Sequence, residues 1–455
     1  VHWPATLSNK TFGQSFIFST KYFSMKPVDS ELFAITFSTG LDNNQYLFSE
    51  SGNTGYYYIE AKAREYSASG KARTPLNLSI VIDKSGSMSG AKLDHAKLAA
   101  KYVVDQLSAD DYVSIVEYDD RINVVSTSNR VADKQLLRKR IEGIEAGNTT
   151  NLGGGMLEGC KQVKSTYQPG YVNRVLLLSD GLANEGITSV EELQRLAKAQ
   201  SLENGISIST FGLGLDYNEN LMTNLAEYGS GNYYFIENPE QISAIFQQEL
   251  NGLLNVVAQN AILTVDLPAN VSLEKVFGYK FEQSGNRVLV HFRDIFSTET
   301  KAVLVKFVVK GNSPELAFKA NLSFADATLP DKPGRALEAT DILKLAASAE
   351  AFGQSFSATV KAQVVLFESN AKLEEAMEEV DNGNYEVARA KVRENAAYLE
   401  SHKDLVADSP ELIMQMASNA GYSSQIEDVE RMQESEKRQM QKGSKMDAYR
   451  SRKKK

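Results

Sequence analysis

Asp83-Lys84-Ser85-Gly86-Ser87-Met88-Ser89-Gly90 follows the apolar run Leu78-Ser79-Ile80-Val81-Ile82 and precedes a helical pattern that opens near Lys92. A buried strand ending in a carboxylate and two spaced hydroxyls puts three oxygen donors at the carboxyl end of a sheet, where α/β folds bind ligands. Hard oxygen donors suit a small divalent cation, above all Mg²⁺, which wants octahedral geometry and keeps some of its waters. Read alone, the octapeptide is equally an ordinary strand-to-helix turn capped by serine. Other parts of the chain must decide between a cap and a metal site.

Around this stretch, from 74 to 257, apolar runs alternate with longer amphipathic ones, the pattern of a mostly parallel sheet covered on both faces. Strands are expected at 76–83, 112–118, 121–126, 174–179, 206–212 and 232–236. The 121–126 strand follows Tyr118-Asp119-Asp120 by a tight turn and should be an antiparallel edge. Leu93, Ala96, Ala100, Val103 and Leu107 recur at helical spacing. Thr188-Ser189-Val190-Glu191 reads as a capping box. The last helix is expected over 239–257, with Pro239 in its first turn.

Both flanks of this unit are rich in β signals. Residues 1–73 carry aromatic and β-branched runs at 33–37, 45–48 and 56–63, separated by Asn, Asp, Gly and Ser clusters. Residues 258–329 carry runs at 261–267, 288–292, 302–309 and 316–320. Neither flank makes a comfortable sheet alone, because one is short of strong strands and the other would expose its edges. The expectation is one β-sandwich into which the α/β unit is inserted.

From 330 to 426 the chain reads as helical, starting at 339–350 and 361–367. A helix–turn–helix follows around Asp381-Asn382-Gly383-Asn384-Tyr385 that looks like a single tetratricopeptide unit. Residues 427–455 are charged, lack an apolar stripe and end in Arg450-Ser451-Arg452-Lys453-Lys454-Lys455. The default expectation is a solvated, mobile tail; contact of its basic end with an acidic partner or surface is the sharper alternative.

Composition narrows the function classes. With 455 residues the chain is too long for one core, and 42% apolar with 24% charged content is that of a globular protein. The net charge of −9 is spread out, which argues against nucleic acid as a partner of the body of the protein. Cys160 is the single cysteine, so an intrachain disulfide and a cysteine zinc site are excluded; it reads as a buried thiol. His2, His95, His291 and His402 form no ligand pair. No apolar run reaches the roughly 18 to 20 residues that span a bilayer. The sequence begins at Val1 without Met, as expected of a trimmed chain or one that has lost a signal peptide.

Two further loops complete the opening stretch. Gly147-Asn148-Thr149-Thr150-Asn151-Leu152 precedes a helix and offers hydroxyls, and the strand 174–179 ends in Asp180-Gly181. The first and fourth strands of a doubly wound sheet flank the point where strand order reverses, so Asp83 and Asp180 should meet there with Thr150 beside them. Two carboxylates and three hydroxyls do not crowd together dry unless a cation neutralises them or one carboxyl keeps a proton.

Asp83-x-Ser85-x-Ser87, Thr150 in Thr-Asn-Leu, and Asp180-Gly181 resemble the metal-ion-dependent adhesion site of von Willebrand factor type A domains. The likeness covers 74–257. It implies that Ser85, Ser87 and Thr150 ligate Mg²⁺ directly or nearly so, with Mn²⁺ or Ca²⁺ as alternatives, and that Asp83 and Asp180 hold it partly through water. Thr150 is preferred over Thr149 because Asn-Leu follows it. A partner's Asp or Glu would complete the octahedron. In relatives the last helix slides on ligand binding, and here such a shift would pull on the sandwich. The order of β region, inserted domain and β region is also similar to bacterial secreted relatives of the inter-α-trypsin inhibitor heavy chains.

Three functions compete. The leading expectation is a non-enzymatic, Mg²⁺-dependent protein-binding or adhesion module of the bacterial cell envelope or exterior. The second is a cytoplasmic adaptor working with an AAA+ ATPase or other assembly. The third is a metal-dependent hydrolase, against which these motifs offer no obvious general base.

Overall fold

The computed structural model describes residues 26–28, 34–67 and 73–453. Phe33 of the 33–37 run and the terminal Lys454 and Lys455 lie outside the described residues. Four strands come first: β1 (Lys26–Val28), β2 (Ile35–Leu41), β3 (Gln45–Tyr46) and β4 (Asn53–Ala63). The α/β unit opens with β5 (Leu76–Asp83), α1 (Ala91–Gln106), β6 (Tyr112–Tyr118), β7 (Ile122–Arg130), α2 (Lys134–Glu142) and α3 (Leu152–Ser165). It continues through β8 (Val172–Ser179), α4 (Val190–Asn204), β9 (Ser207–Leu213), α5 (Glu219–Tyr228), β10 (Ser230–Ile236) and α6 (Ile242–Leu254).

The second β region holds β11 (Val256–Asp266), β12 (Val271–Phe277), β13 (Glu282–Ser284) and β14 (Arg287–Phe296). It ends with β15 (Thr300–Val309), β16 (Glu315–Asp326) and β17 (Gly334–Leu345). Helices α7 (Ala349–Gly353), α8 (Ala358–Asp381), α9 (Tyr385–Glu400), α10 (Lys403–Ala407), α11 (Pro410–Glu427) and α12 (Glu434–Lys453) follow.

The α/β sheet runs β10-β9-β8-β5-β6-β7, parallel except for β7, which is the antiparallel edge its tight turn predicts. Strands β5 and β8 are buried at every position, as a sheet covered on both faces requires. Order reverses between these two strands. The two flanks form a pair of sheets, β1-β2-β4-β15-β12 and β13-β14-β11-β16-β17-β3, around a shared apolar core. Strand β4 lies beside β15 in continuous antiparallel register from Thr300↔Lys62 to Val309↔Asn53. A strand from before the α/β unit thus pairs with one from after it, which makes that unit an insertion into a sandwich.

Four expectations fail in detail. The 339–350 helix is mostly strand: in β17, Leu337, Ala339, Asp341, Leu343 and Leu345 turn inward while alternate residues are exposed. Pairing with β16 over its length overrides the helix-forming composition. The last α/β helix starts with a 3-10 turn at Pro239–Gln241 and ends at Leu254; Val256 and Val257 already belong to β11. The cap of α4 is Ser189 rather than Thr188, its hydroxyl accepting the Glu192 N–H at 3.3 Å. The charged tail is, as far as Lys453, a packed helix.

That helix, α12, packs through Met440, Met446 and Tyr449, which join the cores on either side of it, and through long cations. Lys442 Nζ donates to the Tyr217 carbonyl at 2.8 Å and pairs with Glu219 at 2.7 Å, and Arg438 pairs with Asp216 at 2.8 Å. Tyr449 is buried and meets Tyr233 edge-on at 5.7 Å. Asn370 of α8 donates to the Ala448 carbonyl at 3.0 Å, so α12 lies between the α/β unit and the helical region.

Candidate functional site

Asp83 ends β5, and Asp180 follows the last residue of β8. Because these strands are neighbours at the reversal point, both carboxylates arrive at one crevice, and both are 0% exposed. Asp83 Oδ1 accepts the Ser85 N–H at 2.8 Å and Oδ2 accepts the Ser179 hydroxyl at 2.7 Å. Burial pushes the Asp83 carboxyl up to about 6, against the hydrogen bonds from Ser179 and Ser85; the nearby Asp180 adds to the rise.

After Asp83 the chain bends through a 3-10 turn at Gly86–Met88. The turn is tied to the next loop: Gly86 N–H donates to the Asn148 carbonyl at 2.8 Å, and Gly147 N–H to the Lys84 carbonyl at 2.6 Å. Ser85 is buried and Ser87 lies exposed at the mouth, their hydroxyl oxygens 3.1 Å apart. Ser87 donates to Asp180 Oδ1 at 2.7 Å. The residue capping α1 is Gly90, and Ser85, which precedes the 3-10 turn, makes no side-chain capping bond. The cap reading of the serines therefore fails, and their hydroxyls face each other and Asp180 instead.

Thr150 reaches the crevice from the loop before α3. Its N–H donates to Asn184 Oδ1 at 2.9 Å, and its carbonyl accepts the N–H groups of Asn184 and Glu185, each at 3.2 Å. The loop after β8 thereby holds the loop before α3. Thr150 is buried whereas Thr149 is exposed. Gly181 makes room for it: a Cβ there would stand 3.0 Å from Thr150 Oγ1. All five predicted positions thus come to one end of the sheet, with Asp83, Ser85, Ser87 and Asp180 connected through hydrogen bonds or hydroxyl contacts.

Two cations border the crevice. Lys84, inside the opening motif, pairs with Asp119 at 3.1 Å. Partial burial raises the Asp119 carboxyl, but the Arg121 N–H and the Lys84 ammonium hold it below the usual carboxylate range. Sequence reasoning missed Lys92, whose ammonium sits 2.5 Å from Asp180 Oδ2. A signal was present: Lys92 is the second residue of α1, where a cation opposes the helix dipole and therefore calls for an anionic partner. Ser179 was also missed, because its service to Asp83 depends on strand pairing.

Comparison with known proteins bears on the fold that carries this crevice. Residues 77–248 match the family model of the von Willebrand factor type A domain. Protein YfbK of Escherichia coli (strain K12) is 32% identical over 212 residues, covering 46% of this chain and 36% of that protein. Human inter-alpha-trypsin inhibitor heavy chain H2 is 27% identical over 168 residues, covering 34% of this chain and 17% of its own length. This chain thus spans well under half of either relative. A solved von Willebrand factor type A protein from Catenulispora acidiphila shares the fold, with a TM-score of 0.66 at 16% identity over 86% of this chain and 91% of that one. Residues 77–248 of this protein belong to the von Willebrand factor type A domain family.

Proposed function

We propose that the crevice is a metal-ion-dependent adhesion site through which the protein binds a partner's Asp or Glu side chain. Domains of this family generally mediate protein–protein interaction. The observation that carries the reading is the meeting of two fully buried carboxylates and two serine hydroxyls at one strand-end crevice, with Ser85 making no capping bond and Gly90 capping α1.

The residues fit a divalent cation. The donor set is all oxygen, the choice of Mg²⁺, with Mn²⁺ or Ca²⁺ as substitutes. An ammonium already rests on Asp180, which marks the place as one that takes positive charge. Ser85, Ser87 and Thr150 would hold the ion with neutral oxygens, and Asp83 and Asp180 would hold it partly through water. Bound there, Mg²⁺ supplies a Lewis-acidic position that a carboxylate can occupy. The chain's own work is to fix these oxygens: Ser179 and the Ser85 N–H orient Asp83, Ser87 orients Asp180, and the Asn184 loop fixes Thr150. This is binding without turnover.

Peptides selected from a displayed random library in Mg²⁺ test the reading. They should carry an essential Asp or Glu and lose binding in EDTA or on Asp→Asn or Glu→Gln replacement. Equal binding in Mg²⁺ and EDTA would contradict it.

A further inference from the structure

We propose that Lys92 is a built-in counter-charge that keeps the metal electrophilic, weakening its hold on the ion while strengthening its hold on a partner's carboxylate. The inference rests on the metal-site reading above and assigns a role to a residue outside the five-residue motif.

Lys92 is placed with intent. It occupies the first turn of α1, where the helix dipole already points positive charge at the crevice and an added cation is unfavourable without an anion. Its ammonium lies 2.5 Å from Asp180 Oδ2 and is one-quarter exposed, while Asp180 is fully buried and gives its other oxygen to Ser87. On its open flank stands Gly214, with φ of 76°; a Cβ there would touch Lys92 Nζ at 3.7 Å. The ammonium thus rests on Asp180 near the Gly214 backbone and stays partly open to solvent.

Charge counting gives the consequence. Asp83 and Asp180 alone would cancel a divalent cation and leave little attraction for a third carboxylate. Lys92 withdraws one of those negative charges, so the loaded crevice keeps a net positive charge matched to one incoming Asp or Glu. The same positive charge repels the metal. Lys92 therefore acts in opposite directions on the two binding steps, which a purely structural salt bridge would not do.

Water-proton relaxation with Mn²⁺ reads both steps on the full chain: Mn²⁺ is titrated into EDTA-stripped protein, then acetate into the Mn²⁺-loaded protein. Lys92→Met should bind Mn²⁺ at least about fivefold more tightly and acetate at least about fivefold more weakly, with Lys92→Arg close to wild type. Lys92→Gln should repeat the result and serves if the Met variant fails to fold. Unchanged or weaker Mn²⁺ binding in a folded Met or Gln variant would overturn the proposal, as would tighter Mn²⁺ binding with acetate affinity unchanged. Absence of Mn²⁺ binding by the wild-type chain would overturn the metal-site reading itself, and this proposal with it.

Discussion

Asp83 is a carboxyl group without water to spread its charge into. Burial places it at about 6 in the folded chain, against an ordinary value of 3.8. The folded protein therefore holds this proton more tightly than the unfolded chain does. The resulting stabilisation is full below about pH 4 and is lost as pH rises through about 6, amounting to about 3 kcal/mol at most. In EDTA, urea unfolding should show wild-type stability falling between pH 4.5 and 7 relative to Asp83→Asn; parallel profiles would contradict the assignment. At this scale the sequence was highly legible. Strand order brought Asp83 and Asp180 to one strand end with the 147–152 loop beside them, because the strands that carry them read clearly as buried runs; the choice of Ser85, Ser87 and Thr150 as ligands came with the family resemblance. The partners Ser179 and Lys92 were hidden, since their roles follow from which atoms strand pairing and helix placement bring within reach.

At the scale of elements, α12 shows what hydropathy does not register. Its inward face is built from Lys442, Met446, Tyr449 and Lys453; the long stems of the two lysines cover surface while the Lys442 ammonium finds Glu219 and the Lys453 ammonium finds the Tyr279 ring. Its apolar inward residues, Met440, Met446 and Tyr449, are too sparse among the charges to announce such a helix. Strand β17 misled for the opposite reason: Ala, Leu and Glu suggest a helix, while inward Asp341 breaks the apolar alternation. Asp341 is satisfied there, accepting Thr39 Oγ1 at 2.6 Å and the Tyr57 hydroxyl at 3.0 Å. The anchor of α12 is Glu219. Burial alone would raise its carboxyl, but Lys445 and Lys442 hold it at about 2. Its contribution is therefore present above its ordinary value of 4.5 and lost as pH falls through about 2. Amide hydrogen exchange in α12, corrected for intrinsic rates, should show constant protection from pH 5 to 8. Glu219→Gln should reduce it throughout that range, by about tenfold, because Lys442 is left buried with its main anion gone. Unchanged protection in Glu219→Gln would rule out the clamp.

Across the whole molecule, insertion joins two cores, and a buried ionic cluster crosses the junction. Arg174 on β8 pairs with Glu249 on α6 at 2.8 Å and with Asp294 on β14 at 3.1 Å. Glu249 also accepts from Ser209 at 2.6 Å, Asn232 at 2.7 Å and Tyr234 at 2.8 Å. The cluster thus pins α6 to the sheet and the α/β unit to the sandwich. Arg174→Met strands the buried Glu249 and the part-buried Asp294 and should cost about 3–5 kcal/mol in chemical denaturation; adding Glu249→Met should recover part of that loss. A cost below about 1 kcal/mol for the single change would show that the cluster contributes little. The sandwich itself was legible from the discomfort of its two flanks, but this cluster was not, because its members are 75 and 120 residues apart in the chain.

Everything proposed for this protein turns on whether the crevice binds a divalent cation. Isothermal titration of Mg²⁺ into EDTA-stripped protein is the direct measurement. One saturable site is predicted for the wild type, with affinity at least about tenfold lower in Ser87→Ala and Thr150→Ala as each removes one oxygen donor. A wild-type chain with no saturable Mg²⁺ binding, or variants that bind as tightly as the wild type, would contradict the account.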